Sequence, residues 1–268
     1  MLAEDVVMIV LGAGRVGTSL VKRSKKYDIE VGLVGRTDPE NLLADPLTGP
    51  ILVATRNDDL VEVIERVPMG RRRDLIFIQN GMIRSLLLEH GLGGATRGLI
   101  YFAATERNGE IQPGRVSYFS GPHAHTMVYW FEQIELAAAA LEWPPFTFRE
   151  FEKLAWLCTM GVLCNAHQCS VGEAVTTYET ELVALLDELR SFGGLVFNVD
   201  VDPEYLLHEI RSYSLTIPAY RASVKEWKWR NGAVLAALLE RGKTLPFHLR
   251  LLEAGGHGDK IPPELRRG

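Results

Sequence analysis

Along the first half of the chain, short apolar runs alternate with amphipathic stretches. Val6 to Leu11 is continuously apolar and β-rich, which predicts a strand buried on both faces of a parallel sheet. Helical periodicity follows from Arg15 to Lys25, and a second strand is predicted from Ile29 to Val34. Ile51 to Ala54 and Leu75 to Ile78 read as further strands, with helical pattern from Asp58 to Val67 between them. Leu99 to Thr105 and Val116 to Phe119 also read as strands, separated by the turn-prone Arg107-Asn108-Gly109. Strand–helix–strand repetition requires right-handed crossovers and predicts a doubly wound α/β sheet, a Rossmann domain.

After Met127 the character changes. Helical pattern runs to Leu141, is expected to break at Pro144-Pro145, and resumes from Arg149 to His167. From there to Leu252 the chain reads as helix, interrupted at Gly193-Gly194 and Pro203. The expected organisation is a Rossmann domain over residues 1–145 and an all-helical domain over 146–268. The Gly-, Pro- and charge-rich stretch from Gly255 to Gly268 is expected to be a mobile terminus.

Composition narrows the function classes. An apolar fraction of 47% and a charged fraction of 24% are those of a globular protein. A formal net charge of −5 leaves no basic footprint for nucleic acid, and Arg71-Arg72-Arg73 reads as a solvated helix-to-strand turn. No apolar run reaches the roughly 18 residues of a membrane span, and the first apolar segment runs directly into a glycine turn, as a strand does and a signal peptide does not. Cys158, Cys164 and Cys169 lack the spacing of a metal module and are too few for a disulfide framework, so free thiols in a reducing cytoplasm are expected.

Candidate chemistry begins at Gly12-Ala13-Gly14-Arg15-Val16-Gly17, a G-x-G-x-x-G between a buried strand and a helix. Gly12 permits the tight turn, Gly14 lets backbone approach a pyrophosphate, and Gly17 allows close helix–sheet packing; the helix end offers amide donors. An acidic residue at the end of the second strand would accept from a ribose 2′-hydroxyl. Here the chain reads Gly35-Arg36-Thr37 and has no carboxylate until Asp38. Arg36 suits a 2′-phosphate, so NADP(H) is expected over NAD(H).

Later segments, taken with the fingerprint, resemble the ketopantoate reductase family of the 6-phosphogluconate dehydrogenase-like superfamily. They are Ile78-Gln79-Asn80-Gly81-Met82, Lys153-Leu154-Ala155 with Gly172-Glu173 downstream, Glu226 followed by Asn231-Gly232 with Ser214 before it, and Gly242 to Pro246. Their collinear order spans most of the chain. The resemblance implies hydride delivery to a 2-keto acid, with Lys153 as proton donor. It implies that Asn80 fixes the nicotinamide ribose and substrate, that Ser214 binds substrate, and that Glu226 and Arg56 contact the cofactor. His167 takes no role in it.

Three places where that family presents substrate-binding asparagines are here Leu157, Gly161 and Val171, and a fourth is Arg211. Asn165 lies one turn beyond Gly161 and is expected to compensate in part. The expected substrate is therefore a small 2-keto acid or related carbonyl compound less hydroxylated than ketopantoate. Two alternatives stay open: a dehydrogenase of an imine or hydroxy acid from the same superfamily, and an NADP(H)-binding sensor without turnover. Trp227 and Trp229, beside Glu226, raise the prospect of a homodimer through the helical domain.

Overall fold

The computed structural model describes residues 8–44 and 49–266, so Val6 and Val7 of the first expected strand lie outside it. The chain divides into two compact units, Met1–Phe146 and Thr147–Gly268.

The first unit is built on a seven-stranded sheet, with strands β1 (Met8–Leu11), β2 (Val31–Val34), β3 (Ile51–Val53), β4 (Leu75–Phe77), β5 (Thr96–Leu99), β6 (Ser117–Ser120) and β7 (Ala138–Ala140) in the order β2-β1-β3-β4-β5-β6-β7. Strands β1 to β5 pair in parallel, β6 runs antiparallel to β5, and β7 returns parallel to β6. The crossover helices are α1 (Arg15–Lys26), α2 (Leu60–Arg66), α3 (Arg84–Glu89) and α4 (Ala124–Gln133). One core joins sheet residues Val10, Leu52, Ile76 and Phe119 to Leu20 of α1 and to Met127 and Phe131 of α4. Trp130 donates its indole N–H to Ser24 Oγ at 3.1 Å, which satisfies two buried polar groups while fixing α4 against α1. This is the doubly wound α/β architecture that the alternating pattern predicts.

Four details differ from that pattern. The strand expected over Leu99 to Thr105 lies earlier, at Thr96–Leu99; beyond it only an isolated bridge joins Ala103 to Gln112. The helix expected to Leu141 stops at Gln133, because Glu135 takes a positive φ of 53° and Ala138–Ala140 adds an edge strand. Residues 28–30 close α1 rather than begin β2: Asp28 has φ 57°, and Ile29 N–H returns to Ser24 O at 3.0 Å. Arg71 is buried, paired with Asp74 at 2.8 Å and donating to Gly49 O at 2.7 Å, and Arg72 is half-buried and donates to Val67 O at 3.0 Å, so only exposed Arg73 fits the solvated turn.

Pro144 and Pro145 do not break a helix. They sit in the first turn of α5 (Trp143–His167), where the missing N–H groups have no intrahelical partner to lose. The second unit continues with α6 (Val171–Thr176), α7 (Glu179–Phe192), α8 (Pro203–Thr216), α9 (Asn231–Leu239) and α10 (Pro246–Ala254). Ser170 and Glu173 form a capping box on α6, and Asp202 caps α8 ahead of Pro203. At Gly193-Gly194 the chain continues as a π-helical turn to Phe197; a Cβ on Gly193 would come within 2.8 Å of the Phe151 ring.

The C-terminal stretch, through Arg266, is folded rather than mobile. Ile261 and Leu265 are buried, and Arg266 donates to Ile261 O at 2.8 Å. Arg267 and Gly268 lie outside the described residues. Among the described residues no helix is long and apolar enough to cross a membrane, and no His, Cys, Asp and Glu cluster could hold a metal ion.

Candidate active site

In the sheet unit the site begins where β1 ends. Gly12 has φ +126°, and a Cβ there would stand 2.8 Å from the Ala54 carbonyl. Only glycine fits that turn, which is held by Gly12 N–H to Val34 O at 2.8 Å and by Ala54 N–H to Leu11 O at 2.8 Å. Gly17 is required by contact rather than by φ: its Cβ would meet Gly12 O at 2.0 Å. Around Gly14 the space is open, with Ala54 O the one neighbour, 3.9 Å from an added Cβ. Gly14 caps α1 and places no side chain on the helix end, so the first amides, including those of Arg15 and Val16, face outward uncapped. Ala13 lies beside Gly35, whose added Cβ would be 3.7 Å from it.

The segment after β2 is clasped. Asp38 turns its Oδ2 back onto Gly35 N–H at 2.7 Å, and Arg66 of α2 donates to the carbonyl oxygens of Gly35 and Asp38. The first carboxylate after the strand is thus engaged with its own loop. Arg36 and Arg56 both reach Asp59, at 3.0 and 3.5 Å. Sequence reasoning passed over Asp59, although its i,i+3 spacing from Arg56 was a signal.

At the ends of β3 and β4, Gln79 donates to Val53 O and Thr55 O at 2.9 and 3.1 Å, and Asn57 donates to Asn80 O at 2.7 Å. Thr55 Oγ1, Gln79 Oε1 and Asn80 Oδ1 are buried with no hydrogen-bond partner among the described residues. A glycine cradle that a Cβ would fill, uncapped helix amides and orphaned oxygens a few residues away fit the pyrophosphate and hydroxyl groups of a dinucleotide.

In the helical unit, Lys153, Leu157, Gly161 and Asn165 recur every four residues and so line one stripe of α5. Lys153 is half-buried, and burial with the nearby Arg230 charge pushes its ammonium down to about 7. Arg230 is paired with Glu226. Farther along the stripe, a Cβ on Gly161 would meet Ser223 O at 3.0 Å. Asn165 Oδ1 accepts from Val224 N–H at 2.9 Å and lies 2.9 Å from His257 Nε2.

The chain from Ser223 to Arg230 therefore runs along the stripe, and main chain fills the place of the absent asparagine at Gly161. Asn165 holds that segment through its side-chain carbonyl oxygen. Ser214 is also spent on the fold: it is fully buried, accepts from Trp156 Nε1 at 3.0 Å and donates to Ile210 O at 2.8 Å. Val171 is buried, and Arg211 pairs with Glu179 at 2.6 Å. Trp229 is buried and Trp227 half-buried over Gly232. His167 pairs with Glu181 at 2.7 Å, stacked on Tyr178. All three cysteines are free and buried, and burial pushes the Cys158 and Cys164 thiols up to about 12, which leaves them unreactive.

No family model matches the chain, and no curated protein matches its sequence. Solved structures do match its fold over nearly its whole length. A D-mandelate dehydrogenase in ternary complex with NADH and anilino(oxo)acetate aligns with a TM-score of 0.75 at 12% identity, covering 96% of this chain and 100% of that one. A PanE/ApbA-family ketopantoate reductase from Ralstonia eutropha aligns at 0.70 and 17% identity, covering 95% and 99%. A 2-dehydropantoate 2-reductase from Geobacter metallireducens aligns at 0.71 and 14%, covering 94% and 100%. With its glycine turn, its sheet order and its helical second unit, this chain has the fold of the ketopantoate reductases.

Proposed function

We propose that the protein is an NADP(H)-dependent reductase of a small, weakly hydroxylated 2-keto acid or related carbonyl compound. The sheet unit would hold the cofactor: the turn from Gly12 to Gly17 at the pyrophosphate, Arg36 and Arg56 at the 2′-phosphate, and Asn80 at the nicotinamide end. When bound, that cofactor supplies a hydride. The helical unit would supply the proton through Lys153.

The observation that carries the enzyme reading is the place of Lys153, half-buried on the α5 stripe along which the 223–230 segment runs, where burial and the Arg230 charge push its ammonium down to about 7. At neutral pH such an amine is present in both forms. It can stabilise a developing alkoxide as a cation and then give up its proton, whereas an ordinary lysine near 10.5 releases it less readily. The weakly polar substrate follows from Leu157 and from Gly161, where the 223–224 main chain stands in place of an amide side chain. That one fold neighbour binds an aryl-bearing oxo acid derivative, anilino(oxo)acetate, supports the same choice.

The test is a panel of 2-keto acids graded by hydroxylation and side-chain size, followed by oxidation of NADPH and of NADH. At least one apolar 2-keto acid should turn over with kcat/KM of about 10⁴ M⁻¹s⁻¹ or better, well ahead of ketopantoate. Selective turnover of ketopantoate would overturn the substrate class. Tight NADPH binding with no turnover across the panel would leave a cofactor-binding protein in place of an enzyme.

A further inference from the structure

We propose that Asp59 is a cofactor-selectivity residue, whose carboxylate competes with a 2′-phosphate for Arg36 and Arg56 and thereby holds down the preference for NADP(H). This rests on the cofactor reading above and names a residue that it does not use.

The two arginines come from the chain just beyond β2 and β3, the strands that flank β1 on either side. Their guanidinium groups meet on one carboxylate, Arg36 on Oδ1 at 3.0 Å and Arg56 on Oδ2 at 3.5 Å. Both arginine side chains are mostly in solvent, 64% and 79% exposed, while that of Asp59 is 21% exposed. Exposed pairs of this kind hold weakly, so an incoming dianion can take the arginines over. Asp59 is then left beside the phosphate as a like charge.

Two other charges at the loop are committed elsewhere. Arg66 is spent on the Gly35 and Asp38 carbonyls, and Asp38 on Gly35 N–H. Asp59 has no such structural duty. It stands at the N-terminus of α2, yet its side chain makes no capping hydrogen bond. Its two oxygens are turned to the arginines instead of the helix amides.

Asp59→Asn keeps the size and removes the charge. Titrated by cofactor fluorescence at low salt, the full-length variant should bind NADPH about tenfold more tightly than the unmutated protein, as expected for one like charge removed from a surface site. NADH affinity should stay within about twofold, because a 2′-hydroxyl carries no charge. The fragments 2′,5′-ADP and 5′-AMP should reproduce the difference, and at about 0.5 M salt it should shrink. An unchanged or weaker NADPH affinity in Asp59→Asn would overturn the proposal, since Asp59 would then serve only to organise the arginines. Arg36→Ala separates the two levels. If it leaves NADPH binding unaltered, the cofactor reading fails and this inference with it. If it weakens NADPH binding while Asp59→Asn changes nothing, the inference alone fails.

Discussion

The two units place their chemistry in different parts of the chain. In the sheet unit the work falls to main chain: a turn that only glycine can make, helix amides without a cap, and carbonyls that fix the loop after β2. In the helical unit it falls to side chains, which the fold also claims. Ser214 is taken by Trp156 and Asn165 by Val224, and at Gly161 the Ser223 main chain stands where a side chain would go. A main-chain site announces itself through residues that have no substitute. A side-chain site can be outbid by packing, and a serine or asparagine in the expected place can belong entirely to the core.

The largest expected effect lies in the main-chain site. Gly17→Ala, with a Cβ 2.0 Å from Gly12 O, should weaken NADPH binding by about a hundredfold or more, ~2.7 kcal/mol, in a fluorescence titration. Gly14→Ala has room for its methyl and should leave the fold intact by circular dichroism while still weakening binding, because the methyl occupies the space where backbone meets pyrophosphate. Equal, small effects of both would mean that the turn is only structural.

Comparable in size is the effect of a buried side chain in the helical unit. His248 is fully buried, neither ring nitrogen has a partner among the described residues, and burial pushes its pKa down to about 4. The unfolded chain therefore binds a proton that the folded chain refuses. Stability is fully present above the unfolded value near 6.5 and is lost as pH falls toward 4, by up to ~3 kcal/mol. Urea denaturation should show this loss in the unmutated protein and much less of it in His248→Leu.

Ser214→Ala sharpens the comparison directly. Leaving the Trp156 indole N–H without its acceptor should cost about 1–3 kcal/mol in urea denaturation. KM for the best keto acid should hardly move. A raised KM at unchanged stability would return Ser214 to the substrate site.

The smallest expected effect is a shift in pH profile. The rate of reduction should fall as pH rises through about 7, where Lys153 loses its proton. Arg230→Met should move that midpoint upward, though not to 10.5, because burial is the larger cause. An unmoved midpoint would mean that Arg230 does not tune the amine.

What could be read in advance follows the same division. The parallel strands and the glycine turn are legible because burial on both faces and a left-handed or sterically crowded backbone each demand particular residue types. Pro144-Pro145 misled because proline marks the first turn of a helix as readily as its end, and only the structure tells which. Residues 138–140, three alanines, carry no period that separates an edge strand from a helix tail. Lys153 was picked out by its place in a collinear frame, but the Arg230 charge near it was not, since Arg230 lies far along the chain and meets the stripe only after α5 and the 223–230 segment come together. Asp59 was overlooked because its i,i+3 spacing from Arg56 is a weak signal, and its sharing with Arg36 from the loop after β2 is a tertiary fact.

Central to all of this is Lys153 as a proton donor rather than a surface cation. Stopped-flow turnover of the best 2-keto acid, paired with NADPH titration on the same preparation, tests it most directly in Lys153→Ala. The expected result is a loss of at least about a hundredfold in turnover with cofactor affinity nearly unchanged. Turnover equal to that of the unmutated protein would contradict it.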